Sequence, residues 1–245
     1  MRARLMISLV AVVAMASPLF AQEAPKGVVE LFTSQGCASC PPADAAFRKL
    51  VERGDVIALA YHVDYWNYLG WADTLSSKEN TERQYGYARS MGRSNVYTPQ
   101  VIVNGRDHVA GADLNGIAGK IDSYASDGKG LTVPIKARVN GDELEIKIGG
   151  GPGKANVVMV YFDHEKTINV EKGENGGQQI AYLRSVSDVE TVGMWDGKET
   201  SLTLPANVLQ KPDLEGCAIL LQTSTADGTP SAILGATVIM AGKNI

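Results

Sequence analysis

The chain has 245 residues, 23 Lys and Arg against 27 Asp and Glu, and a formal net charge of −4. That length allows one large domain or two ordinary ones. The acidic balance argues against nucleic acid or an anionic membrane surface as a partner, so the functional case rests on chemistry rather than on charge.

Arg2 and Arg4 precede an apolar run from Leu5 to Phe20, and small Ala21 follows. A charged start, a short apolar core and a small residue describe a secretory signal peptide, residues 1–21, removed after export. The alternative is a retained anchor, but a spanning helix needs roughly 20 apolar residues and this run is shorter. No second stretch is long and apolar enough to span a bilayer. The expectation is an exported chain, periplasmic or secreted, with no membrane span after cleavage.

Val28 to Thr33 reads as a strand that ends in a Gly-containing turn, and Cys37-Ala38-Ser39-Cys40 follows at a helix start. Unpaired helix N–H groups and the positive end of the helix dipole stabilise a thiolate there. Cys37, nearer the turn, is expected to be the more exposed thiol and the nucleophile. Cys40, one turn inside, is expected to resolve the mixed disulfide. Ala38 and Ser39 add no charge between them. In an oxidising compartment such a pair is a structural staple or a working redox couple. Cys217 is left over in the apolar run Gly216 to Leu221, where it reads as a buried, inert hydrophobe or as a thiol for an intermolecular disulfide.

Pro41 to Arg53 reads as a helix with Ala46, Phe47, Leu50 and Val51 on one face and Gly54 as its stop. Val56 to Tyr61 is a continuous apolar run, as expected of a parallel strand buried on both faces. Ser76 with Glu79 has capping-box spacing and announces a helix ending at Gly92. Gln100 to Val103, the turn Asn104-Gly105 and His108 to Gly111 read as a hairpin. Asp113 caps a last helix striped by Leu114, Ile117, Ile121 and Tyr124.

The order β-α-β-α-β-β-α with a CxxC after the first strand resembles the thioredoxin-like fold in its minimal form. That resemblance implies a cis bond at Thr98-Pro99, packed against the CxxC and presenting backbone to a substrate peptide. It also implies a buried acid beneath the disulfide that relays a proton. Glu30 resembles that acid in kind, one residue further from the first cysteine than in thioredoxins proper. A Glu30 that reaches solvent or a basic partner is the other reading.

Ligands gather beyond the carboxyl ends of parallel strands. His62 and Asp64, spaced i and i+2, share a face if the strand continues, and could assist proton transfer at that rim. A histidine satisfied by a local hydrogen bond is the plainer reading. The loop Tyr65 to Trp71, with Trp66 at its start, lines a substrate groove or covers the core.

After Asp127-Gly128-Lys129-Gly130 the helical periodicity stops. Leu131 to Val139 alternates apolar and polar, Asn140-Gly141 is a hairpin signal, and Leu144, Ile146 and Ile148 resume the alternation. Further strands read at Val157 to Phe162, Ile180 to Val186, Ser201 to Leu204, Ala218 to Gln222 and Leu234 to Met240, a β-sandwich pattern. Gly173-Glu174-Asn175-Gly176-Gly177 reads as a hairpin tip. The expected organisation is an α/β thioredoxin-like domain over 22–128 and an all-β, sandwich-like domain over 129–245.

Gln35-Gly36-Cys37, Cys40-Pro41-Pro42-Ala43-Asp44, His62-Val63-Asp64-Tyr65-Trp66, Tyr97-Thr98-Pro99-Gln100 and Gly173-Glu174-Asn175 together resemble a secreted bacterial thioredoxin-like family of unknown function. The leading expectation is a thiol–disulfide oxidoreductase that acts on cysteine-containing exported proteins or a redox partner and needs no cofactor. A copper-binding module is a second reading, with His62, His108 or Met91 completing a thiolate shell. A non-catalytic binding protein with a permanent Cys37–Cys40 staple is a third.

Overall fold

A computed structural model describes residues 24–242; the leader read at 1–21 lies outside the described residues. Val28–Thr33 (β1) pairs in parallel with Ile57–His62 (β2) and antiparallel with Gln100–Val103 (β3). Asp107–Ala110 (β4) completes a sheet of order β2-β1-β3-β4. Three helices attend it: Pro41–Arg53 (α1), Lys78–Ser90 (α2) and Leu114–Ser126 (α3).

Local chemistry accounts for the helix limits. Pro41 and Pro42 open α1, where a missing N–H costs nothing, and Gly54 closes it at φ 70°. Asp113 caps α3 by accepting the Gly116 N–H at 2.9 Å. The cap of α2 departs from the expectation at Ser76. Ser77 accepts the Asn80 N–H at 3.1 Å, because the Ser76 hydroxyl is turned back to donate to the Asp73 carbonyl at 2.9 Å.

β1 alternates cleanly between two cores. Val29 and Leu31 pack with Ala43, Phe47 and Leu50 of α1 and Ile117 and Ile121 of α3. Val28 and Phe32 point the other way, toward Tyr87 of α2.

The remaining strands are Ile135–Asn140 (β5), Glu143–Ile148 (β6), Ala155–Asp163 (β7), Lys166–Asn169 (β8), Gln179–Tyr182 (β9), Val186–Trp195 (β10), Thr200–Pro205 (β11), Leu214–Ser224 (β12) and Pro230–Met240 (β13). They form a four-stranded sheet, β10-β7-β12-β13, a three-stranded sheet, β11-β6-β5, and the ribbon β8-β9. Met159 and Tyr161 of β7 and Ile219 of β12 meet Leu144 and Ile146 of β6 between the two larger sheets.

The division expected near residue 128 leaves each half a cluster of its own, and a third cluster joins them. The opposite face of the four-stranded sheet, with Val158, Val160, Phe162, Ala218 and Leu220, shares one cluster with Phe32, Tyr61 and Tyr87. β7 and β12 are apolar on both faces, so burying only one face would leave the other exposed to water. The two halves therefore fold onto each other.

Candidate functional site

Cys37 and Cys40 form a disulfide, with Cα atoms 5.4 Å apart. Cys40 is the N-cap of α1, and its carbonyl accepts the N–H groups of Ala43 and Asp44 at 2.8 and 3.0 Å. The expected exposure of Cys37 is not found. Cys37 is 1% exposed and Cys40 0%, although Ala38 and Ser39 between them are exposed.

A segment distant in sequence is fastened to the backbone around Cys37. Asn175, at the tip between β8 and β9, donates from Nδ2 to the carbonyls of Gln35 at 2.9 Å and Cys37 at 3.0 Å. Glu174 Oε2 accepts the Ala38 N–H at 3.2 Å. The Trp71 indole donates to Gln35 Oε1 at 2.8 Å, so the aromatic loop closes over the turn that precedes the cysteines.

The Thr98-Pro99 peptide bond is cis and lies beside the dithiol segment. Ser39 Oγ donates to the Thr98 carbonyl at 3.4 Å and sits 3.4 Å from Cys37 Sγ. Trp66 Nε1 donates to Thr98 Oγ1 at 2.8 Å. Cys37, Ser39, Thr98 and Trp66 thus meet at one edge.

Beneath this edge is a buried polar cluster that sequence reading reached only in part. Asp44 lies four residues after Cys40 on the same helix face, the spacing at which side chains are neighbours. Thr33 Oγ1 donates to Asp44 Oδ1 at 2.9 Å. Burial pushes the Asp44 carboxyl up to about 7, with Asp73 adding to the rise and His62 and Thr33 opposing it. His62 is fully buried, and its Nδ1 is 2.8 Å from Asp73 Oδ2, which also accepts the Gln35 N–H at 2.8 Å. Burial opposes ionisation of Asp73, but His62 and these N–H donors hold its carboxyl below the usual range. Tyr182 of β9 lies edge-on to His62, ring centroids 4.7 Å apart. Asp44 Oδ2, His62 Nε2 and the Tyr182 hydroxyl have no protein hydrogen-bond partner among the described residues. Buried polar atoms left unpaired are costly and concentrate where function needs them.

Glu30 follows its second reading, that of an acid with a basic partner, and Asp64 is bound away from the cysteines. Glu30 points to the face of β1 away from α1, because its parity is that of Val28 and Phe32. There Arg83 donates to Glu30 Oε1 from Nε at 2.9 Å and Nη2 at 2.7 Å, and the Tyr87 hydroxyl donates to Oε2. Arg83 Nη2 also reaches Gln222 Oε1 on β12 at 2.9 Å. Asp64 accepts the Thr81 hydroxyl of α2 at 2.6 Å, because β2 ends at His62 and the strand alternation that would set the two side by side stops there. Asp44, on α1 with Cys40, lies on the opposite side of β1 from Glu30.

Residues 28–222 match the family model described as protein of unknown function, DUF1223. The chain belongs to that family. The matched span of DUF1223 takes in the cysteines, Thr98-Pro99 and Asn175, and so covers both halves of the site. Protein AGR_C_4864 from Agrobacterium tumefaciens, known from an X-ray crystal structure, is 57% identical. That match covers 92% of this chain and 98% of the other, with a TM-score of 0.84. HBP35 of Porphyromonas gingivalis is 14% identical over 90% of this chain and 76% of its own, with a TM-score of 0.62, a likeness of fold alone. No match was found among curated proteins.

The other chemistry-bearing residues of this DUF1223 chain lie apart from the cysteines. His108 Nδ1 is 2.9 Å from the Tyr97 hydroxyl, and His108 and Met91 line a cleft of about 400 Å³ that holds no cysteine. Among the described residues no three His, Cys, Asp or Glu are grouped to hold a metal ion. Cys217 is fully buried in β12, and burial pushes its thiol up to about 12. Asp44 carried a sequence signal, the i+4 spacing from Cys40. Asn175 carried only its place in the Gly173-Glu174-Asn175 motif of the resemblance, since nothing local ties it to a cysteine 138 residues away.

Proposed function

We propose that the first half is a thioredoxin-like redox unit and that the chain is an exported thiol–disulfide oxidoreductase acting on protein cysteines. The observation that carries this reading is the Cys37–Cys40 disulfide at the start of α1, with the Thr98-Pro99 edge beside it and a protonatable Asp44 one turn below. The leader-like N-terminus supports a periplasmic or secreted location, where cysteine-containing exported proteins or a redox partner are the targets.

In the oxidising direction a target thiolate attacks Cys37 Sγ. The S–S bond breaks, and its electron pair leaves on Cys40 Sγ, which takes the Asp44 proton. A second target thiolate attacks the mixed disulfide and releases Cys37 as a thiolate. Two electrons pass from the target to the dithiol, and the reverse sequence reduces a target disulfide.

Cys40→Ser is expected to trap Cys37 in mixed disulfides with exported proteins, seen as high-mass bands on non-reducing gels. The bands should disappear in the Cys37→Ser/Cys40→Ser double variant. A Cys40→Ser protein that traps nothing and leaves Cys37 inert to alkylation sinks the reading.

The burial of both sulfurs favours a second reading, in which the disulfide is a permanent staple. Its reduction potential separates the two. A value below about −300 mV marks a staple, about −270 mV a reductant and about −120 mV an oxidant.

A further inference from the structure

We infer that the tip Gly173-Glu174-Asn175 is a latch that must leave the Cys37–Cys40 disulfide before a thiol can reach it, with Asn175 holding it shut. This rests on the redox reading of the same cysteines. The latch is local: Cys37 is 1% exposed while its neighbours Ala38 and Ser39 are open to solvent. Asn175 is 2% exposed and joins the tip to the Gln35 and Cys37 carbonyls.

The rest of the tip has little to hold it. Residues 171–174 and 176–179 are all exposed, and among the described residues β8 and β9 pair only with each other. Its backbone bonds, such as Gly177 N–H to the Val170 carbonyl at 2.7 Å, close on the tip itself, so it can move as a unit, as lids do, once its buried amide lets go. Gly173 abuts the aromatic loop, since a Cβ placed there would lie 3.5 Å from Trp71 Cβ. Opening the tip therefore frees the Cys37 carbonyl and the Ala38 N–H beside the first sulfur and uncovers one side of the aromatic loop.

Glu174 adds a dependence on redox state. In the closed tip its carboxylate accepts the Ala38 N–H, the amide next to Cys37. A Cys37 thiolate competes for that N–H and repels the carboxylate, so reduction weakens the latch and the oxidised state favours it. Glu174 is exposed, and water screens its part, so Asn175 is the main fastener.

The test is the second-order rate at which dithiothreitol reduces the full chain's disulfide. In the first step a dithiothreitol thiolate attacks Cys37 Sγ and expels Cys40. In the second its other thiol closes the cyclic disulfide and releases Cys37, so both electrons end on the protein. Trp66 and Trp71 fluorescence follows the change. Asn175→Ala is expected to react about tenfold faster or more than the parent, the loss of two hydrogen bonds that hold the closed state. Asn175→Ser, too short to span both carbonyls, is expected to do the same, and Glu174→Gln to give a gain of about twofold.

Far-UV circular dichroism identifies which Asn175 variants are folded, and either one suffices. Unchanged rates in a folded Asn175 variant overturn the latch, whatever Cys40→Ser traps. A faster Asn175 variant alongside a Cys40→Ser protein that traps nothing keeps the latch and removes the redox role.

Discussion

Arg83→Met is expected to cost the fold about 3–5 kcal/mol, read as a lowered urea midpoint at unchanged m-value. The loss follows from where the guanidinium sits. Arg83 is the cation for Glu30, which is 0% exposed in the centre of β1, and it also reaches Gln222 of β12 at 2.9 Å. The Tyr87 hydroxyl completes the set, donating to Glu30 and accepting from Gln222 Nε2 at 2.7 Å. Removing only the cation leaves a buried carboxylate with no counter-charge. The double variant Glu30→Met/Arg83→Met should recover much of the loss, because then neither charge is buried alone. A double variant as unstable as Arg83→Met would mean that packing, not charge, dominates. Independent halves would give two transitions with only one of them shifted, but the cluster joins β1, α2 and β12. One transition that moves as a whole is expected instead.

Asp44→Asn is expected to remove a pH dependence of both stability and thiol exchange. The folded carboxyl titrates at about 7 against an ordinary value of 3.8, so between those limits the native state keeps a proton that the unfolded chain has released. With more protons bound to the native state, stability falls as pH rises through this window, by at most about 4 kcal/mol. The contribution is fully present below pH 3.8 and gone above about 7. Asp73 has the opposite shift, and its stabilisation is lost only below its ordinary value, outside this window. The difference in unfolding free energy between Asp44→Asn and the parent should therefore be small near pH 4 and grow in favour of the variant toward pH 8. Parallel curves from pH 4 to 8 would show that Asp44 does not titrate in the fold. For exchange, the variant cannot pass a proton to or from Cys40, so resolution of a mixed disulfide should slow about a hundredfold and lose its inflection near pH 7. Unaltered kinetics in a folded variant would exclude Asp44 from the chemistry.

Several features were legible in the chain itself because short-range rules decide them. The bounds of β1 and α1, the Asp113 cap and the Asn104-Gly105 turn depend on a few neighbouring side chains and on which backbone angles glycine and proline permit. β10 was not legible: its ten residues mix Asp188, Glu190 and Gly193 among half-buried positions, and no period of two survives two bulges. The Ser76 reading failed for a related reason. Two serines in succession offer the same hydroxyl, and the one with a partner at Asp73 was unavailable to the helix.

The amino-acid order alone determined that two thiols stand three residues apart at the mouth of a helix, beside a strand and upstream of a Thr-Pro step. Tertiary packing decided whether those sulfurs meet solvent, and it hid them. It set Asn175 on Cys37 from 138 residues away, paired Glu30 with Arg83 across 53 residues, and buried Asp44 one helical turn from Cys40. Such contacts escape a reading of the chain because burial is a property of what lies opposite. Strands apolar on both faces must find two partners, and which loops arrive with those partners is settled only when the whole molecule closes.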